Sequence, residues 1–144
     1  MSNLRYFSCF SGIGGFDAAA NQLGWRRVGW CEIDKHAATT FSQNFDCAGQ
    51  AYYHDITKIE ADLLPDFDVF VAGFPCQPFS SMGKMLGFED TRGTLFFDIA
   101  RILKAKRPKG FLLENVMGLL QHDKGKPFTT MLKLLSMATN QQIP

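Results

Sequence analysis

A chain of 144 residues, 46% apolar and 20% charged, has the size and balance of one globular domain, which excludes an intrinsically disordered polymer. Its formal charge of +1 gives no strong overall pull toward nucleic acid, so if the protein acts on DNA, most phosphate contacts must come from local clusters or from protein outside these residues. The four cysteines form no C-x-x-C pair, which argues against a zinc or dithiol redox site, and with no leader-like or membrane-length apolar run the expected setting is a reducing cytoplasm and no membrane.

Leu4–Cys9 reads as a first strand, and it runs directly into Phe10-Ser11-Gly12-Ile13-Gly14-Gly15-Phe16. Phe16, Ala19, Ala20 and Leu23 then repeat at helical spacing, with Gly24 as a stop. Strand, glycine turn and helix open a nucleotide-binding βαβ unit, although the third glycine follows the second directly and the G-x-G-x-x-G fingerprint is absent. A plain tight turn would account for the glycines alone. A second strand, Arg27–Cys31, ends on Glu32-Ile33-Asp34. Glu32 sits near the spacing at which a strand-end carboxylate grips ribose hydroxyls, and pairing with the glycine turn lifts it above an ordinary surface charge. Asp34 is placed to cap a helix with Ala37, Ala38, Phe41 and Phe45 on one face.

Tyr52–His54 is a short third strand closed by Asp55, which either caps the next turn or reaches the base of the same ligand. Ile56–Leu64 is expected to be a short irregular helix stopped by Pro65. The apolar run Asp68–Ala72 is a buried fourth strand that delivers Gly73-Phe74-Pro75-Cys76-Gln77-Pro78-Phe79-Ser80. A free cysteine is ordinarily a small buried hydrophobe. Here Pro75 and Pro78 stiffen the backbone around Cys76, and Gly73 admits close approach of another group, which suits a nucleophile.

Ser80–Gly93 carries no helical period and is broken by Gly83, Gly87 and Gly93, so it reads as a functional loop, with Lys84 and Arg92 as candidate phosphate contacts. Thr94 is placed to cap a helix with Phe96, Ile99, Ala100 and Leu103 inward. Arg101, Lys104, Lys106 and Arg107 crowd its last turns, where cations oppose the dipole favourably. Phe111–Leu113 is a fifth strand ending on Glu114, and burial there is expected to raise the carboxyl's pKa toward useful acid strength. A last helix begins near Pro127 with Phe128, Met131, Leu132 and Leu135 inward. His36, His54 and His122 share no ligand spacing, and no metal is expected. Fourteen phenylalanines imply a dense core or stacking surfaces, and composition leaves both open.

Strands alternating with helices specify an α/β fold: a doubly wound, Rossmann-like parallel sheet with helices on both faces, incomplete at the C-terminal end. In such a sheet the glycine turn, Glu32, Cys76 and Glu114 all fall on one edge and can converge on one cleft.

Three stretches resemble signature motifs of DNA cytosine-5 methyltransferases, in the same order and spacing: Phe10–Phe16, Gly73–Ser80 and Glu114-Asn115-Val116. Gly87–Phe96 is also similar to the segment after the catalytic loop in bacterial modification enzymes. The resemblance covers nearly all of the chain and implies an S-adenosylmethionine-dependent catalytic domain over residues 1–144. It implies that Phe10, Gly12, Ile13 and Gly15 line the cofactor site, with Glu32 on the ribose, Ile33 against adenine, Asp55 and Ile56 beside the base, and Gly73 and Leu95 near the methionine end. It further implies double-stranded DNA as partner, with a cytosine flipped into the cleft. Cys76 would attack ring carbon 6, Glu114 would protonate ring nitrogen 3, and Ser80, Ser81 and Arg92 would touch the DNA backbone as their loop closes.

The sequence ends before the family's Gln-x-Arg-x-Arg motif, its target-recognition region and its C-terminal motifs. The expectation is a fragment, a truncated frame or one half of a split enzyme that needs a second polypeptide, with little or no methylation by this chain alone. Rival readings are a non-catalytic cofactor-binding subunit and an RNA cytosine methyltransferase. An NAD-linked oxidoreductase is opposed by the glycine spacing and the Pro-Cys loop.

Overall fold

The computed structural model describes residues 3–75 and 95–140. Cys76, Ser80, Ser81, Lys84, Arg92 and the cap expected at Thr94 lie outside the described residues. Five strands form one parallel sheet in the order β3-β2-β1-β4-β5, with β1 Arg5–Cys9, β2 Arg26–Cys31, β3 Ala51–Tyr53, β4 Val69–Gly73 and β5 Gly110–Glu114. Helices α1 Gly15–Gln22 and α2 Lys35–Asn44 follow β1 and β2, α3 Leu95–Lys106 precedes β5, and α4 Gly118–Gln121 and α5 Lys126–Thr139 follow it. Right-handed crossovers place helices on opposite faces when the strand order reverses. The reversal falls between β1 and β4, the switch point outside which open sheets hold ligands.

Strand alternation divides the core accordingly. Tyr6 and Val71 face α1, packing with Ala20, Phe16 and Trp25. Phe7, Cys9, Phe70 and Ala72 face the other way, onto Phe96, Ile99, Leu103 and Leu135. On the α2 side Trp30 stacks on Phe41 at 4.3 Å and meets Tyr52 at 4.3 Å. Phenylalanines therefore serve the core: Phe7, Phe41, Phe67, Phe70, Phe74, Phe96 and Phe97 are all buried. Full burial of a side chain such as Ile99 or Leu103 contributes about 1.5–3 kcal/mol, which is why α3, with six buried residues, anchors this face. Among the described residues, no helix is long and apolar enough to cross a membrane, and no group of three or more His, Cys, Asp or Glu side chains could hold a metal ion.

Several local expectations are corrected by tertiary contacts. The segment after Asp55 is two 3₁₀ turns, Ile56–Lys58 and Ala61–Leu63, rather than one irregular helix. Arg101 donates to the carbonyls of Ile59 at 2.6 Å and Ile56 at 3.1 Å, diverting acceptors that a continuing helix would use. Lys106 likewise donates to the Leu64 carbonyl at 2.9 Å and pairs with Asp66 at 2.7 Å. These cations tie α3 to the neighbouring segment in addition to opposing its own dipole. In α1 the buried positions are Asp17 and Ala20, while Ala19 and Leu23 are exposed. In α5 Met131 and Leu135 are buried as expected, but Phe128 is exposed and Leu132 half-buried. Both line a cavity of about 390 Å³ with Phe74, Leu113, Met117 and Leu120.

Candidate active site

The carboxyl ends of β1, β2, β3, β4 and β5 share one edge, because the strands are parallel throughout. The glycine turn rises from β1. Gly14 has φ +100°, and a Cβ there would strike the ring of Phe45, so only glycine fits. Phe10 holds φ +52°, a left-handed backbone that non-glycine residues adopt sparingly and that clusters at ligand clamps. Ser11 fastens the turn: its amide donates to the Cys31 carbonyl at 3.1 Å and its hydroxyl to the Ser8 carbonyl at 3.2 Å. Cys9 and Cys31 are ladder partners directly beneath, both buried and both free thiols. Burial first, and then the neighbouring Cys31 thiol, push the Cys9 thiol well above its ordinary value, so it stays protonated and inert.

Glu32 is 9% exposed and bridges two backbones. Its Oε2 accepts from the Gly12 amide at 2.7 Å and its Oε1 from the Asp34 amide at 2.8 Å. An ionised carboxylate offers about four acceptor positions, so two backbone bonds leave room for two hydroxyl donors. The site around it is open: a Cβ on Gly12 or Gly15 would meet nothing within 4 Å. Ile13, 66% exposed, and Ile33, 59% exposed, leave two apolar side chains uncovered beside this carboxylate. An open glycine turn, a carboxylate with spare acceptors and two uncovered apolar side chains fit a ribose and an aromatic base.

Asp55 follows the capping alternative: its Oδ1 accepts from the Thr57 amide at 2.9 Å and the Thr57 hydroxyl at 2.8 Å. The Thr57 amide bond, more than any other influence, lowers the pKa of this carboxyl. Ile56 is 3% exposed and its side chain belongs to the core. Leu95 opens α3 and packs half-buried on the same core.

On the other side of the switch point, Gly73 of β4 is the direct ladder partner of Glu114 on β5. A Cβ on Gly73 would stand 3.1 Å from Glu114 Oε2 and 3.7 Å from Phe16. Among the described residues the expected desolvation of Glu114 is not found: β5 is an outer strand there and the residue is exposed. Asn115 fixes the join between the two strand ends. Its Nδ2 donates to the Phe74 carbonyl at 2.9 Å and its Oδ1 accepts from the Val116 amide at 2.8 Å. The structure therefore brings Gly12, Ile13, Gly15, Glu32, Ile33, Gly73 and Glu114 to one edge, with the Ile56 side chain packed in the core.

Three contributors were given no site role by the sequence reading. Phe16 lies against Gly73, Asn115 clamps Phe74, and Asp17 is buried beneath the glycine turn. Asn115 had a signal in its place directly after Glu114; Asp17 had none, since a helix-start aspartate is normally exposed.

Comparison with known proteins gives the family. The profile of the C-5 cytosine-specific DNA methylase family matches residues 4–139. Type II methyltransferase M.HgiCI of Herpetosiphon aurantiacus is 55% identical over 138 residues, covering 92% of this chain and 32% of that protein. Type II methyltransferase M1.ScrFI of Lactococcus lactis subsp. cremoris is 54% identical over 132 residues, covering 91% and 33%. Among solved structures, a prophage-encoded E. coli protein described as a DNA modification methyltransferase superimposes with a TM-score of 0.72 at 27% identity, over 93% of this chain and 38% of that one. The chain thus spans about a third of the length of the curated relatives it matches.

Proposed function

From the premise that this chain belongs to the C-5 cytosine-specific DNA methylase family, we propose that it carries the cofactor-binding and thiol-bearing part of an enzyme that methylates carbon 5 of cytosine in DNA. S-adenosylmethionine, when bound, supplies an electrophilic methyl group. Glu32 would accept from the ribose hydroxyls with the acceptor positions that Gly12 and Asp34 leave free, and Ile13 and Ile33 would flank the adenine. Phe10, Gly12 and Gly15 would border the rest of the pocket, with Asp55 and the Ile56 backbone toward the base and Gly73 and Leu95 toward the methionine end.

Cytosine carbon 5 is a poor nucleophile while the ring is conjugated. In the proposed chemistry the Cys76 thiolate adds to carbon 6 of a flipped cytosine, and Glu114 donates its proton to nitrogen 3, leaving carbon 5 electron-rich. After carbon 5 is methylated, a base removes its proton, the carbon 5–carbon 6 double bond re-forms, Cys76 leaves as thiolate and the nitrogen 3 proton returns to Glu114. The exposure of Glu114 in the protein alone is compatible with this role, because an entering base would itself cover the carboxyl. Ser80, Ser81 and Arg92 are assigned to the DNA backbone. The remaining phosphate contacts and the reading of sequence are assigned to protein outside these 144 residues, in the same polypeptide or a second one, since the charge is only +1. The cytoplasm of a bacterium is the proposed setting.

The observation that carries this reading is the Gly73–Glu114 pairing, which holds a carboxylate over the strand end that leads to Cys76. The test is adduct trapping. The chain is mixed with S-adenosylmethionine and a mixed-sequence DNA containing 5-fluorocytosine, from which carbon-5 proton removal is blocked. A denaturation-resistant adduct that disappears in Cys76→Ser is expected, and it accumulates even when turnover is slow. Its absence from cofactor-loaded protein, with single-stranded DNA as well as duplex, would sink the reading. Labelled methyl transfer by this chain alone at the rate of a complete relative would refute the assignment of recognition elsewhere.

A further inference from the structure

Asp17 lies in the first turn of α1 and is 0% exposed. Its carboxylate accepts three hydrogen bonds of 2.8 Å, at Oδ1 from the Tyr6 hydroxyl and from Nη1 of Arg27, and at Oδ2 from the Ser8 hydroxyl. Ser8 and Asp17 are nine positions apart, and between them lie Phe10, Gly12, Ile13 and Gly15. The Ser8–Asp17 bond therefore closes the base of the loop that borders the cofactor pocket. Arg27 extends the same network. Its other nitrogens donate to Gln50 Oε1 at 2.6 Å and the Asp46 carbonyl at 2.8 Å, and its guanidinium lies 4.6 Å over the Phe41 ring. One buried ion pair thus joins the loop, the strand that ends on Glu32, and the connection from α2 to β3.

Resting on the reading of this edge as an S-adenosylmethionine pocket, we propose that Asp17 is a positioning residue for the cofactor: by gripping Ser8, Tyr6 and Arg27 it sets the height of the Phe10–Gly15 loop, so that the Gly12 amide meets Glu32. A buried ion pair is poor evidence for stability in itself, because well-packed apolar residues of the same volume stabilise a core as well or better. In some proteins such a pair instead specifies one arrangement. Here the arrangement specified is that of the loop and of Glu32, which receives the Gly12 amide at 2.7 Å.

The test uses three variants of the chain. Asp17→Asn removes the charge but keeps the shape, Ser8→Ala removes only the bond across the base of the loop, and Tyr6→Phe removes a single hydroxyl. Affinity for S-adenosylmethionine is measured by titration calorimetry well below each melting temperature, and exchange of the Gly12, Ile13 and Gly14 amides is measured without ligand. The expected result is about tenfold weaker binding for Asp17→Asn and about threefold for Ser8→Ala, with loop amides exchanging faster while those of Phe7 and Phe70 do not change. A merely structural role would lower the melting temperature and leave the affinity of the folded protein intact; that outcome overturns the proposal. If the unsubstituted chain binds no S-adenosylmethionine, the pocket reading fails instead. Exchange then decides the clamp: unaltered loop rates in Ser8→Ala and Tyr6→Phe remove it.

Discussion

Glu114 Oε2 would lie 3.1 Å from a Cβ on Gly73, its ladder partner across β4 and β5. The distance is tighter than ordinary van der Waals contact, so a Cβ there would make the carboxylate shift. The ends of β4 and β5 are thus matched by one missing methyl group.

Gly73→Ala should leave the fold nearly intact, because Glu114 is exposed and its side chain can swing aside. It should not leave the chemistry intact, since displacing a catalytic group by about 1 Å can cost about 100-fold in rate. Adduct formation with 5-fluorocytosine DNA is expected to slow at least ~10-fold with an almost unchanged melting temperature. Wild-type adduct rates in this variant would show that the Gly73–Glu114 contact has no catalytic part.

Glu32→Gln tests the ribose grip. One of the two amides from Gly12 and Asp34 would face an NH₂ group in place of an acceptor. The loss should cost about 1–3 kcal/mol of stability and weaken S-adenosylmethionine binding by ~10-fold or more. Calorimetric titration checks it; retained affinity would assign the ribose to another group.

Gly14→Ala should be the most damaging glycine substitution in the turn. The added Cβ strikes Phe45, and the backbone at φ +100° is strained for any L-residue. Strain of that kind costs about 1–3 kcal/mol before the clash is counted. Gly110→Ala, where a Cβ meets nothing within 4 Å, serves as control. Equal melting temperatures for the two variants would contradict the packing described here.

Asp68 gives a pH signature. It accepts from the Arg5 amide at 2.9 Å and pairs with Lys109 at 2.9 Å and with Arg5 at 3.4 Å. The Arg5 amide bond first, and then Lys109, hold its pKa at about 2, below an ordinary 3.8. A depressed carboxyl contributes stability that is complete above the unfolded value and is lost as pH falls through the folded one. Asp68→Asn should therefore melt lower than wild type at pH 7, with the gap shrinking between about pH 4 and pH 2. A gap that stays constant down to pH 2 would exclude this carboxylate as its source.

Much of the fold is local physics and was readable along the chain. Apolar runs ending at Cys9, Cys31, Ala72 and Leu113 marked the strands, and Asp34 announced the start of α2, where its carboxylate indeed accepts from the Ala37 amide at 2.7 Å. These features depend on residues a few positions apart, so periodicity and capping suffice to find them. The glycine turn and Glu32 were legible for the same reason. Partnerships between distant residues were not. Asp17 looked like a solvated helix-start charge until β1 supplied Tyr6 and Ser8 and β2 supplied Arg27. Glu114 ended an apolar strand, yet its exposure depended on β5 standing at the outside of the sheet. Arg101 carried a helix-end charge, but the carbonyls it serves, Ile56 and Ile59, come from another segment. Sequence alone determined the five strands, the longer helices between them and the sheet edge on which the strand ends gather. Only the tertiary structure decided which charges are buried and what they grip, because burial and pairing are set by neighbours that no local pattern encodes.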